Sequence, residues 1–163
     1  MLIGVPKEIK NHEYRVGLTP ESVSELVNRG HRVLVETRAG VGIGAEDAAY
    51  QAAGAEIATQ ADDIFRCADM IVKVKEPQAE ERKKLRKGQI LYTYLHLAPD
   101  PEQASDLVNS GSVCIAYETV TDAQGGLPLL KPMSQVAGRL SIQAGATALE
   151  KVHGGRGVLL GAV

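Results

Sequence analysis

Met70-Ile-Val-Lys-Val-Lys-Glu-Pro77 and Gln89-Ile-Leu-Tyr-Thr-Tyr-Leu-His-Leu-Ala-Pro99 are the stretches whose reading decides the fold. Each is a short apolar, β-branched or aromatic run closed by proline, the pattern of a buried strand. The polar segment between them, Gln78 to Lys87, is long enough for one crossover helix, so the two strands should run parallel. As sheet neighbours they would lie about 5 Å apart. Lys75 and His96 would then both emerge at the carboxyl edge, where open α/β sheets bind their ligands. A lysine and a histidine on that edge make a candidate site for holding and protonating an anion. Taken singly, a strand-terminal lysine is usually a solvated end and a lone histidine a satisfied polar group, so the rest of the chain decides between the readings.

The chain of 163 residues suits one ordinary domain with a real core, and 44% hydrophobic with 23% charged residues is a globular composition. A net charge of −2 with no basic cluster argues against nucleic-acid binding. No apolar run reaches the roughly 18 residues of a membrane span. Lys7, Glu8 and Lys10 leave no room for a signal peptide, which predicts a cytoplasmic protein. Cys67 and Cys114 are isolated and sit in or beside apolar runs, and read as buried free thiols of a reducing compartment. His12, His31, His96 and His153 show no metal-ligand spacing among themselves or with the cysteines, so no metal is expected.

Along the chain, Leu2 to Val5 reads as a buried strand ended by Pro6, and the charged segment Lys7 to Thr19 carries Arg15 between Tyr14 and Val16. Thr19-Pro-Glu is a helix start, and Gly30 a helix end. His31 to Glu36 is the next strand. Gly40-Val-Gly-Ile-Gly-Ala45 matches a dinucleotide fingerprint on paper. However, the helix after it opens with Glu46 and Asp47, carboxylates where a pyrophosphate would sit, and only a strand stub, Ala55 to Ala58, follows. A tight turn using glycine for positive φ is the preferred reading. Short helices at Asp62 to Ala68 and after Asp100-Pro101, and a strand from Ser112 to Tyr117, extend the alternation. The pattern predicts an α/β fold, a Rossmann-like or flavodoxin-like doubly wound, mainly parallel sheet. A turn-rich stretch then leads to a long helix of about 20 residues opened by Pro132-Met-Ser134, on the order of 30 Å. Gly138, Ile142, Gly145 and Leu149 share one of its faces, which reads as a packing surface.

Five of these segments carry a family likeness. Ile3 to Glu8 with Glu13-Tyr-Arg-Val16, Lys73 to Pro77, Tyr94-Leu-His-Leu-Ala98, Ala116 to Thr119 and Pro132-Met-Ser134 resemble the N-terminal half of bacterial alanine dehydrogenases over essentially the whole chain. Proton-translocating nicotinamide nucleotide transhydrogenases look similar at the N-terminus but generally lack the Lys-Glu-Pro and His-Leu-Ala pair.

The resemblance implies reversible oxidative deamination of L-alanine to pyruvate and ammonium, with hydride passed to NAD. It implies a guanidinium at Arg15 for the substrate carboxylate, a second substrate ligand at Lys75, and a proton donor and acceptor at His96. The residue types suit these roles, since a guanidinium offers a planar fork to a carboxylate and an imidazole exchanges protons near neutral pH. Tyr94 and Glu118 would line the pocket, and Ser134 would reach the cofactor. The implied organisation is a substrate domain over 1–131, a linking helix over 132–153, and a Gly-rich junction over 154–163 to an NAD-binding Rossmann domain absent from these residues. The family is hexameric, and the resemblance implies that turnover requires the remaining half of the polypeptide. Two alternatives stay open at this stage: a nucleotide-binding transhydrogenase domain, and a truncated, non-catalytic module that binds a keto acid or pairs with full-length subunits.

Overall fold

The computed structural model describes residues 1–161 of the chain, which form two compact units, Met1–Tyr117 and the residues from Glu118 on. The first unit is built on a six-stranded sheet of β1 (Leu2–Val5), β2 (Arg32–Glu36), β3 (Glu56–Ala58), β4 (Met70–Val72), β5 (Ile90–Thr93) and β6 (Val113–Ala116). Every pairing is parallel, in the order β3-β2-β1-β4-β5-β6. The winding therefore reverses between β1 and β4, which opens a crevice at their carboxyl ends. β4 and β5 are neighbours as expected, with Met70 opposite Ile90 and Val72 opposite Tyr92.

The helices of this unit are α1 (Pro20–Asn28), α2 (Asp47–Ala52), α3 (Ala61–Cys67), α4 (Ala79–Arg82) and α5 (Pro101–Ser110). Thr19 caps α1, its hydroxyl accepting from the Ser22 N–H, and Asp100 caps α5 by accepting from the Gln103 N–H. Val23 of α1 and Tyr50 of α2 bury fully against Ile3, Val5, Val33 and Val35 on one sheet face. Ile64 and Phe65 of α3 and Leu107 of α5 pack on the other face with Ile71 and Leu91. Beyond β4 the first face opens: Val113 and Ile115 of the edge strand are 51% and 39% exposed.

Three details bear on the sequence reading. The crossover after Pro77 forms only four helical residues, because Leu85 turns into the core three residues later. Cys67 is exposed and Cys114 half-buried, so neither is the buried thiol expected. Cys67 is the last residue of α3, beyond the inward pair Ile64 and Phe65, and Cys114 lies on a strand with one neighbour rather than two. Gly40 to Ala45 is a tight turn, a single 3-10 turn at Val41–Ile43 closed by Gly44 at φ 78°, a left-handed conformation that glycine adopts without strain.

The second unit holds the turn at Asp122, whose Oδ1 accepts from the Gln124 and Gly126 N–H groups, and the 19-residue helix α6 (Lys131–Leu149). No residue of α6 is buried, and Val136, Leu140 and Ile142 stand about half exposed or more. Among the described residues no helix is long and apolar enough to cross a membrane.

Leu91 is fully enclosed at the centre of the sheet, so Leu91→Ala is expected to cost about 2–5 kcal/mol in urea denaturation. Val113→Ala, on the open face, is expected to cost less than about 1 kcal/mol.

Candidate functional site

The crevice at the β1/β4 reversal is lined by the segments that follow β1, β4 and β5. The segment after β1, residues 6–19, crosses the carboxyl end of β4 at Gly17. A Cβ there would stand 2.5 Å from the Val72 carbonyl oxygen, so only glycine lets the loop press this close. Two residues earlier the same loop presents Arg15. The β4–β5 pairing continues past the strands through Lys73 N–H to Tyr92 O (3.1 Å), Tyr94 N–H to Val74 O (3.2 Å) and Thr93 Oγ1 to Lys75 O (2.9 Å). This extension carries Lys75 and His96 to the same point.

Glu76 is where they meet. Its Oε2 lies 3.2 Å from His96 Nδ1 and 3.9 Å from Lys75 Nζ, while Oε1 accepts a hydrogen bond from Lys10. Partial burial raises the Glu76 carboxyl, but its hydrogen bonds from Lys10, the backbone and His96 outweigh this and hold it below the usual glutamate range. His96 stands at φ 48°, left-handed for a side-chain-bearing residue. Its ring stacks on Tyr94, centroids 5.9 Å apart, and Tyr94 in turn meets Tyr117 edge-on at 5.0 Å. Burial pushes the Tyr117 phenol well up, keeping it neutral.

Arg15 is gripped by Glu13 in a fork, Nε to Oε1 at 2.8 Å and Nη2 to Oε2 at 2.6 Å. That hydrogen bonding is the main reason Glu13 sits below its ordinary range, and the Lys75 charge adds to it. Arg15, Lys75, Tyr94 and His96 thus share one electrostatic neighbourhood. A cavity of about 190 Å³ adjoins Arg15, lined among others by Lys7, Glu8, Glu13 and Arg38. Glu118, in the 3-10 turn Tyr117–Thr119, and Ser134, in the first turn of α6, fall in the second unit.

Beneath these residues lies a group that sequence reasoning passed over. Lys73 is fully buried, its Nζ 3.2 Å from Glu8 Oε2 and 2.8 Å from Glu81 Oε1. Glu8 Oε1 accepts from the Val74 N–H at 2.6 Å, and Glu81 Oε2 from the Gln78 N–H at 2.8 Å, completing the capping box of α4. Burial pushes the Glu8 carboxyl up against the pull of Lys73. The signal was present: a lysine in the middle of a buried strand run must find a carboxylate. Glu13 and Glu76 had no such signal, since their partners are set by the folded loops.

The Gly40 to Ala45 turn does not suit a dinucleotide. The helix after it is six residues long, and Asp47 in its first turn already accepts from Thr37 Oγ1 and the Arg38 N–H.

Residues 4–137 match the family model described as "Alanine dehydrogenase/PNT, N-terminal domain". The chain belongs to this family. It is 57% identical over 98% of its length to an alanine dehydrogenase of Halomonas elongata, and 56% identical over its whole length to one of Bacillus subtilis. It spans only 43% of each of those relatives. A solved L-alanine dehydrogenase superposes on the whole chain with a TM-score of 0.88 at 54% identity, with 45% of that structure covered. A transhydrogenase from Sinorhizobium meliloti covers 72% of the chain with a TM-score of 0.69 at 33% identity, with 35% of that structure covered. The chain therefore shares its α/β fold with that L-alanine dehydrogenase.

Removing the buried cation leaves two carboxylates enclosed together. Lys73→Met is therefore expected to cost about 3–5 kcal/mol at neutral pH. In the variant one carboxyl must keep a proton, so its folded pKa rises above the unfolded value of about 4.5. The loss is full above that raised pKa and shrinks as the pH falls toward 4.5. Urea denaturation of both proteins across this range checks the sign.

Proposed function

We propose that this chain is the substrate-binding N-terminal domain of an NAD-dependent L-alanine dehydrogenase, an oxidoreductase acting on the CH–NH2 group. The whole protein would interconvert L-alanine, NAD and water with pyruvate, ammonium, NADH and a proton. The observation that carries this reading is the approach of Lys75 Nζ and His96 Nδ1 to one carboxylate oxygen of Glu76, with the Lys75 charge also felt at Glu13, the partner of Arg15. A small 2-oxo acid needs a fork for its carboxylate, a cation at its keto oxygen and a proton donor at the reacting carbon's oxygen. In this reading Arg15, already oriented by Glu13, takes the carboxylate. Lys75 polarises the keto group and His96 exchanges the proton. Tyr94 lines the pocket and holds the imidazole face by stacking, and the role of Glu118 rests on the family likeness alone.

NAD supplies the hydride acceptor in the whole protein and is bound mainly outside these residues, with Ser134 as a contact. We assign residues 1–131 to the substrate domain, 132–153 to the linking helix and 154–163 to the junction, whose last two residues, Ala162 and Val163, lie outside the described residues. A cytoplasmic homohexamer completes the proposal. The transhydrogenase reading is supported by a likeness of lower identity and coverage, and it has no use for a keto-acid site.

In the complete enzyme, Arg15→Ala is expected to weaken pyruvate binding about 10- to 100-fold, the equivalent of about 1.4–3 kcal/mol, in calorimetric titration. Arg15→Lys should not restore it, because a point charge lacks the planar fork. An unchanged pyruvate affinity in Arg15→Ala would remove Arg15 from the site.

A further inference from the structure

Gln103 is enclosed to 1% exposure at the start of α5, beneath the segment that carries His96. Its Nε2 donates to the Leu95 carbonyl at 2.6 Å, the peptide unit immediately before His96. Its Oε1 has no hydrogen-bond partner among the described residues. Reversing the amide would not cure this, since it would set Oε1 against the Leu95 oxygen, acceptor to acceptor. A buried acceptor left without a partner opposes folding, and the hydrogen bond from Nε2 to the Leu95 carbonyl offsets that cost. The amide thus carries a cost at its oxygen, and the bond its nitrogen makes is to Leu95.

That grip falls on a strained point. His96 is held left-handed at φ 48°, a conformation that persists only where the surroundings over-determine it. Several contacts hold it: the Leu95 side chain buries in the core, and the Asp100 N–H returns to the Leu97 carbonyl. Asp100 Oδ1 accepts from the Gln103 N–H, and the Gln103 amide turns back to Leu95. The loop after β5 is thereby tied to the first turn of α5 at both ends, with His96 between the ties.

We propose that Gln103 is a positioning residue for His96, which it orients through the Leu95 carbonyl. This rests on the reading of His96 as the proton donor and acceptor. The Gln103 amide is committed to the Leu95 carbonyl and not to the side chains assigned to substrate capture, so its loss should misdirect the proton step and leave that capture intact.

The test is Gln103→Met in the complete enzyme, which keeps the volume and removes both amide atoms. The expected result is a fall in kcat for pyruvate amination of about 10- to 100-fold, the scale of a small misplacement of a reacting group. KM for pyruvate should stay within about twofold, and the melting temperature should change little, the lost Leu95 hydrogen bond being offset by removal of the unpartnered acceptor. The His96 ring resonances should broaden or shift in the NMR spectrum of the same variant. An unchanged kcat would overturn the proposal, as would a fall in kcat matched by equal losses in pyruvate affinity and melting temperature, the mark of a merely structural role. Should the methionine variant not fold, Gln103→Asn, one methylene too short to reach Leu95, is read by the same criteria. A His96→Asn variant as active as the wild type would fail the functional reading itself, a result distinct from any of these.

Discussion

The ammonium of Lys73, enclosed between Glu8 and Glu81, is the contact on which the rest of this site depends. Three elements meet at it: Glu8 opens the loop that carries Arg15, Lys73 and its neighbours leave β4 toward Lys75, and Glu81 belongs to the first turn of α4. Charges so far from water are tolerated only when each has partners, and here each carboxylate also accepts a backbone N–H. The network consequently fixes backbone as well as side chains, and the chain cannot shift at one of the three segments without exposing a charge at another.

Above that hub the sheet topology does the gathering. The reversal between β1 and β4 separates the two halves of the winding, so the segments after these strands border one crevice instead of each being roofed by the next helix. β5, paired to β4, adds a third segment to the same edge. Acidic side chains then arrange the basic ones. Glu13 sets the plane of Arg15, and Glu76 draws Lys10, Lys75 and His96 around itself. The tyrosines Tyr94 and Tyr117 supply the apolar wall behind the imidazole.

Much of this was legible from residue pattern. The strand runs, the proline-opened helices and the caps at Thr19 and Asp100 are local chemistry, and local chemistry survives folding unchanged. Lys75 and His96 could be placed on one edge because two consecutive parallel strands leave no other choice. The role proposed for Arg15 comes instead from likeness to a family, since nothing in the spacing of residues 7–19 says where that loop lies. Burial of the cysteines was misjudged because apolar neighbours do not reveal which side of a helix faces outward, or that β6 is an edge. Glu8, Glu76 and Gln103 went unnoticed for a shared reason: their partners at Val74, His96 and Leu95 come within reach only when separate segments meet in space. Glu13 lies two residues from Arg15, yet its fork depends on how the loop between β1 and α1 bends.

By itself, then, the amino-acid sequence determined the alternation of strands and helices, the parallel pairing of β4 with β5 and the shared edge at which Lys75 and His96 emerge, because hydrophobic period and helix-end chemistry act over a few residues. Tertiary structure alone decided which carboxylate faces which cation, that His96 stands in a left-handed conformation, and that a buried amide is committed to the carbonyl before it. Those outcomes depend on distance and enclosure between separate segments, and both are set only when the sheet has closed and water has left the core beneath the crevice.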